Sequence, residues 1–248
     1  AFSAVRAAAG HHASAAAPPG FVTDDDAGRA GLVLAYGGGQ GGYGAEHEDW
    51  AVGVLVDRGG DADPRVHWAR VEAAGAAPLP RCAHTATFVP ARCVSGFPDG
   101  CVLFFGGHSG NTRRLMADLQ LLCVHTWTWY TWRGPPIAIP RHGHSATLVE
   151  LAEGRSYVAF VGGGSGIILD HPDDCEEYAT AQLVDVASLA VRDDGTLAAR
   201  FLPAVPLSHA PGRHHTACRV SETCALLYGG GHRPAPDVLA LDLARLAA

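Results

Sequence analysis

Histidine is the residue type of this sequence with the clearest chemical potential, since imidazole is the commonest metal ligand in proteins. The chain has 14 His in 248 residues, and three of them begin similar segments, HTATFV, HSATLV and HTACRV. The seven cysteines form no Cys-x-x-Cys pair, and the acidic segment 170–174 lacks the ligand spacing of a metal site. We therefore expect no metal and no cofactor.

Other motifs also argue against catalysis. The glycine clusters end apolar runs without a following helical pattern, so they are not phosphate-binding loops, and the sequence has no nucleophile-elbow motif. The net charge of −7 disfavours a nucleic-acid partner, because such binding neutralises phosphates. No apolar run reaches the ~18 residues of a membrane span. The odd number of cysteines predicts a reducing compartment, so we expect a cytoplasmic or cytoskeletal location and no secretion.

The elements that must position these histidines recur four times along the chain. An apolar or aromatic run ending in two or three glycines occupies residues 32–39, 101–107, 157–164 and 224–231. A His followed by small and apolar residues lies upstream of each run, at His12, His84, His144 and His215. Pro-Arg precedes the second and third of these histidines, whereas Gly212 stands where the fourth repeat would have Arg. Four motifs in one order indicate an internal repeat.

Further strand-like segments complete each repeat. Third strands are predicted at residues 50–57, 117–124, 181–186 and 237–243, and fourth strands at 66–72, 127–132 and 198–203. With the unpaired segment 2–6, the chain supplies four sets of four strands. A four-stranded meander cannot bury both of its faces alone, but several such sheets packed radially as a β-propeller can. The sequence therefore predicts an all-β fold.

These motifs resemble the kelch repeat of the galactose oxidase/kelch superfamily. The likeness rests on Pro-Arg-x-x-His-x-Ala, the apolar-aromatic-Gly-Gly run, the Asp-Leu strand at 118–119 and the Trp-rich fourth strand. It implies that the His of each repeat is structural and hydrogen-bonds backbone between strands. The residues of this structural motif are Arg81, His84, Gly106, Gly107, Arg141, His144, Gly162, Gly163, His215, Gly229 and Gly230.

The resemblance implies one propeller domain over residues 1–248. Its repeats span about 7–72, 80–133, 140–203 and 211–248, with residues 1–6 as a closing strand. Two arrangements fit this pattern. In a closed four-bladed ring, residues 2–6 would pair with residues 237–243. Alternatively, the four blades are part of a larger propeller of six or seven blades.

The loops between the second and third strands carry most of the distinctive charge. In this topology they share one face with the loops that join neighbouring blades, and loops on rigid scaffolds often carry binding. We therefore predict that these loops bind a protein partner. The candidate residues are Glu46, Glu48, Asp49, Arg113, Arg114, Asp170, Asp173, Asp174, Glu176 and Glu177.

Two functions of different classes follow from the resemblance. The first is a non-catalytic scaffold or adaptor that holds a protein partner, within a larger complex, and touches neither nucleic acid nor membrane. The second is an accessory kelch propeller of a leucine-carboxyl-methyltransferase-like enzyme that completes wybutosine in tRNA. In that case the catalytic domain would lie outside this segment.

Overall fold

The computed structural model describes residues 73–109, 114–134, 139–151, 154–165, 176–221, 223–231 and 238–246. In the first 72 residues it describes the backbone of four strands. These are β1 (Ala13–Ala17), β2 (Arg29–Tyr36), β3 (Trp50–Asp57) and β4 (Arg65–Ala69). They pair in chain order as an antiparallel meander, which we call the first sheet. The segment 2–6, predicted to close a ring, lies outside the described residues.

The second sheet continues the same plan. The elements of this region are β5 (Thr85–Val89), a 3-10 turn (Ala91–Cys93), β6 (Cys101–Phe105), β7 (His108–Ser109), β8 (Arg114–Leu115), β9 (Leu119–Cys123) and β10 (Thr128–Thr131). Strands β5, β6, β9 and β10 form the sheet in that order, while β7 and β8 pair as a separate two-stranded ribbon. All pairs are antiparallel.

The third and fourth sheets repeat this arrangement. Their elements are β11 (Ser145–Glu150), β12 (Ser156–Val161), β13 (Thr180–Val191), β14 (Leu197–Phe201), β15 (Val205–Pro206), β16 (Thr216–Arg219), β17 (Cys224–Tyr228), β18 (Val238–Asp242) and α1 (Leu243–Leu246). The third sheet runs β11-β12-β13-β14, with β15 added to β13, and the fourth runs β16-β17-β18. The prediction of an all-β fold built from several antiparallel sheets is therefore confirmed.

Most strands differ from their predicted bounds by a few residues, and two of these differences have a local reason. Strand β13 is longer than predicted and forms a hairpin with β14 whose register shifts between Asp185 and Ala190, so the extra length is accommodated by a bulge. The last predicted strand ends one residue early, because Asp242 begins a helical turn. Its Oδ1 accepts hydrogen bonds from the amides of Ala244 and Arg245, at 3.0 and 3.2 Å.

The sheets stack face to face, with apolar cores between them. Between the second and third sheets, Leu103 and Phe105 meet Val158 and Phe160, and the Phe105 and Phe160 rings stack with centroids 4.3 Å apart. A second core lies between the third and fourth sheets, where Leu183 and its neighbours meet residues of β17 and α1. Strands β6, β9 and β12 are buried at every position, because both of their faces are covered.

The order of the sheets follows the order of the chain. Strand β1 contacts β5, β5 contacts β11, and β11 contacts β16, so the first strands of successive sheets lie side by side. At the outer edges, Ala74 pairs with Thr128 and Trp132 pairs with Leu197 through parallel bridges. None of the helices in the described part of the chain has the length and apolarity needed to span a membrane.

Candidate functional site

One end of the sheets gathers the residues that the sequence singled out. Because β5 and β6 are antiparallel, with Thr85 opposite Phe105, the start of the first strand and the end of the second lie together. The third and fourth sheets repeat this register with Ser145 opposite Val161 and Thr216 opposite Tyr228. The glycine pairs follow directly, so we call this the glycine end. The loops from second to third strands leave from the same end.

Arg81 fastens the glycine end of the second sheet. Its fully buried guanidinium donates to both carboxylate oxygens of Asp118, each at 2.7 Å, and to the carbonyl oxygen of Gly106 at 3.1 Å. Burial alone would raise the pKa of Asp118, but the hydrogen bonds and charge of Arg81 hold it below its ordinary value. This ion pair joins the segment before β5 to the segment before β9.

Arg141 occupies the equivalent position of the third sheet with different partners. It donates to the carbonyl oxygen of Gly162 at 2.8 Å and to the carbonyl and hydroxyl oxygens of Thr180, both at 3.3 Å. Thr180 stands where the second sheet has Asp118, and the Tyr178 ring lies 5.5 Å from the guanidinium carbon. Burial lowers the pKa of Arg141 to about 10, so the group remains charged at neutral pH.

The repeat histidines bridge neighbouring sheets. His144 Nε2 lies 2.9 Å from the Thr85 hydroxyl, and His215 Nε2 lies 2.9 Å from the Ser145 hydroxyl. His215 also donates from Nδ1 to the carbonyl oxygen of Gly212 at 2.9 Å, so its neutral ring accepts the Ser145 proton at Nε2. The resemblance implied that this His bonds backbone between strands. The backbone bond of His215 is instead local, to a residue three positions earlier, and the bonds that reach another strand are the side-chain bridges to the preceding sheet.

Burial keeps these bridging rings neutral. The pKa of His144 lies well below its ordinary value because the ring is buried and because Arg141 adds an unfavourable positive charge. Burial also lowers the pKa of His215, against the opposing effect of the Gly212 carbonyl. A neutral imidazole locked between sheets has the properties of a structural link.

The glycines are required where the sheets approach each other. At Gly106, where φ is +66°, a Cβ would lie 2.5 Å from the Arg141 carbonyl oxygen and 2.9 Å from His144 Cε1. The second glycine of each pair instead faces the His of its own sheet. The three such glycines are Gly107, Gly163 and Gly230, where a Cβ would lie 2.8, 2.9 and 2.9 Å from the Cβ of that His.

Three of the predicted partner-binding residues have described positions. Arg114 in β8 and Glu176 are exposed, and Glu177 is half-buried. All three belong to the loops of the glycine end. The Ser165 amide donates to the Glu176 carbonyl oxygen at 2.9 Å, and the Glu176 amide donates to the Ser165 hydroxyl at 3.2 Å, which fixes the base of the β12–β13 loop. The remaining candidates lie outside the described residues: Glu46, Glu48, Asp49, Arg113, Asp170, Asp173 and Asp174.

The sequence reasoning missed a line of side chains that crosses three sheets. Cys82 Sγ lies 3.3 Å from His108 Nε2, the His108 and His142 rings are 5.0 Å apart, and the His142 and His214 rings are 5.7 Å apart. The sequence offered one signal for this line of side chains, because each of its residues lies next to a repeat motif. In the described part of the chain, no group of three or more His, Cys, Asp or Glu side chains could hold a metal ion.

The backbone beside this line of side chains also connects the three sheets through hydrogen bonds. Ala83, Gly143 and His214 occupy equivalent positions and share a left-handed conformation, with φ of 54°, 60° and 59°. The His214 amide donates to the Gly143 carbonyl oxygen at 2.7 Å, and the Gly143 amide donates to the Ala83 carbonyl oxygen at 2.8 Å. This ladder links three sheets at the glycine end, and it pre-organises the surface from which the loops emerge.

Comparison with known proteins adds evidence on the fold. No family model matches the sequence, and no curated protein matches it. Among solved structures, the chain is similar to one in "Cryo-EM structure of RAG in complex with one melted RSS and one unmelted RSS", with a TM-score of 0.62 and 16% sequence identity. The match covers 90% of this chain and 59% of that chain. At this level of identity the likeness concerns the fold alone.

Proposed function

We propose that this chain forms a kelch-type β-propeller and acts as a non-catalytic scaffold that binds a protein partner through the loops of the glycine end. One observation carries the proposal. The glycine end combines a backbone held by buried contacts with loops that present exposed charges. Loops that bind partners are typically mounted on rigid elements in this way.

The stacking of the sheets supports the propeller. The first strands of four successive sheets contact one another in chain order, and equivalent histidines bridge the second, third and fourth sheets. A row of meanders joined through their first strands is the arrangement of propeller blades. The described cysteines are free thiols, which supports a reducing and hence cytoplasmic location.

The charges of the loops indicate the character of the partner. The loop from β12 to β13 contains Asp170, Asp173, Asp174, Glu176 and Glu177 within eight residues. A partner with a basic patch would meet this loop favourably, because complementary charge steers association and fixes the relative orientation of two proteins. Arg114, in the ribbon formed by β7 and β8, is an exposed positive charge at the same end of the sheets.

A charge-reversal experiment tests this proposal. The double variant Glu176→Arg/Glu177→Arg should reduce recovery of the native partner in pull-downs by about two- to tenfold and should weaken the salt dependence of binding. The matched control is Asp193→Arg, an exposed acid in the hairpin at the opposite end of the third sheet. Both proteins should stay folded, since Glu176 and Asp193 are exposed, Glu177 is half-buried, and charges at the surface contribute only about 0–1 kcal/mol each. Equal partner recovery by the double variant and the control would refute binding by this loop.

A further inference from the structure

The two interfaces with described side chains on both sides are built on one plan. One sheet supplies a hydroxyl at the start of its first strand, Thr85 or Ser145, and the next sheet supplies an imidazole, His144 or His215. The first glycine of each pair makes room for that next sheet. Gly106 faces the Arg141 carbonyl and the His144 ring, while the Gly162 Cβ position contacts a proline ring of the fourth sheet and lies 3.0 Å from His215 Cε1.

The fourth sheet carries the same features, and none of the described residues packs against the glycine among them. Thr216 follows His215 as Thr85 follows His84, and it pairs with Tyr228 just as Thr85 pairs with Phe105. Gly229 then follows with φ of +73°, close to the +66° of Gly106. Among the described residues, however, no atom lies within 4 Å of a Cβ built at Gly229.

The face that includes these residues is apolar and exposed. Alternation and register put Thr216, Cys218, Leu226, Tyr228 and Val238 on one side of the fourth sheet, which we call the open face. Tyr228 and Val238 are 57% and 53% exposed. At the position of Tyr228, the second and third sheets have Phe105 and Val161, which are 0% and 2% exposed. The opposite side of β17, with Ala225 and Leu227, is packed against the third sheet.

We propose that the open face binds a further antiparallel sheet of the same repeat type, supplied by polypeptide outside the four sheets described above. That sheet would direct an imidazole at the Thr216 hydroxyl and fit its backbone into the notch at Gly229. The described strands of the first sheet do not fill this place, because β1 contacts β5 and makes no comparable contact with β16, and Tyr228 and Val238 are exposed. The inference rests on the packing of the sheets and does not depend on the proposed partner-binding loops.

The likeness of the open face to the two existing interfaces indicates what kind of polypeptide would bind it. The open face has a hydroxyl, a left-handed glycine whose Cβ position meets no described residue, and an apolar strand pair. These lie in the same register as the features that accept a His-bearing sheet at the two existing interfaces. An unrelated protein or an acyl chain would have no need of the glycine or the hydroxyl. A second copy of this chain could bind here only through a sheet with the same features. The cross-linking experiment below distinguishes that outcome from the proposal.

Thiol footprinting tests the proposal, because Cys218 is an exposed thiol on the open face. The protein would be isolated natively from its source and compared with recombinant residues 1–248, and labelling by a maleimide would be followed for each cysteine by mass spectrometry. We expect Cys218 to react rapidly in residues 1–248 and about tenfold or more slowly in the native protein, because a docked sheet must open before the thiol can react. Buried Cys101 should stay unlabelled in both. Equal reactivity of Cys218 would overturn the proposal.

A variant and a cross-link identify what covers the face. Tyr228→Lys in the native protein should restore labelling of Cys218, whereas Val191→Lys, at an exposed position of the third sheet, should leave it protected. Unchanged melting of both variants in residues 1–248 would exclude a general loss of folding. Carboxylate cross-linking from Asp242, which lies on the open face at the end away from the glycines, should recover a peptide from a sheet of the same repeat type outside residues 1–248. Recovery of residues 1–72, of a second copy, or of an unrelated protein would overturn the proposal.

Discussion

Replacing Asp118 by Asn tests whether its ion pair with Arg81 holds the glycine end of the second sheet together. The substitution keeps the shape of the side chain and removes its charge. The Arg81 guanidinium is fully buried, so it would lose both charge-assisted bonds of 2.7 Å and retain neutral acceptors. Breaking a fully buried pair costs about 3–5 kcal/mol, and the partial exposure of Asp118 (31%) brings our expected loss to about 2–3 kcal/mol.

Thermal and urea unfolding at pH 7 measure this loss. In a protein of this size each kcal/mol lowers the melting temperature by about 2–4 °C, so Asp118→Asn should melt about 4–12 °C below the parent. The control is Asp193→Asn, because Asp193 is exposed in the β13–β14 turn. A surface change of this kind should stay within about 0.5 kcal/mol.

The pH dependence makes the prediction specific to the ion pair. Arg81 holds the pKa of Asp118 below the ordinary value of 3.8, despite the opposing effect of burial. A carboxyl whose folded pKa is depressed stabilises the protein above its unfolded pKa and loses that effect as the pH falls through the folded pKa. The stability gap between parent and variant should therefore be full at pH 5–7 and narrow below about pH 4. Equal stability at pH 7, or a gap that does not change with pH, would refute the reasoning.

Two further substitutions test the packing between sheets. Gly106→Ala should destabilise the protein by about 1–3 kcal/mol more than Gly96→Ala in urea titrations, because both have positive φ but only a Cβ at 106 meets backbone, the carbonyl oxygen of Arg141. Equal losses would contradict the close approach of the sheets. Trp132→Ala should cost about 3–5 kcal/mol, since this buried ring packs 4.9 Å from Phe201 of the next sheet, and Trp132→Phe should recover much of that loss. A Trp132→Ala variant that melts like the parent would exclude this contact.

Much of the fold was predictable because strand patterns are local. The Gly-terminated runs and the alternating segments identify the strands, and β3 spans the residues that the sequence predicted. The all-β prediction is confirmed for the same reason, since each meander has its turns and its apolar runs within a few dozen residues. The assignment to the kelch repeat and the choice between ring and larger propeller stay predictions. The open face of the fourth sheet favours the larger propeller.

The candidate site was predictable in part. The sequence identified Arg81 and Arg141 by a shared motif, but it could not show that one pairs with a carboxylate and the other with Thr180. These partners follow the second strand of each repeat, and an isolated sequence does not reveal which of the nearby polar residues reaches the guanidinium. Most of the loop residues predicted to bind a partner lie outside the described residues, so their role stays a prediction.

The sequence by itself therefore determined the class of fold, the positions of most strands and the order of the repeats. These depend on periodicity, turn residues and composition, which act over short distances along the chain. Only the tertiary structure decided that His144 meets Thr85, 59 residues away, and that His215 meets Ser145, 70 residues away. It also brought Cys82 into line with three histidines and left Tyr228 and Val238 exposed on one face of the last sheet. Contacts at such separations depend on how whole sheets stack, and no local pattern encodes that arrangement.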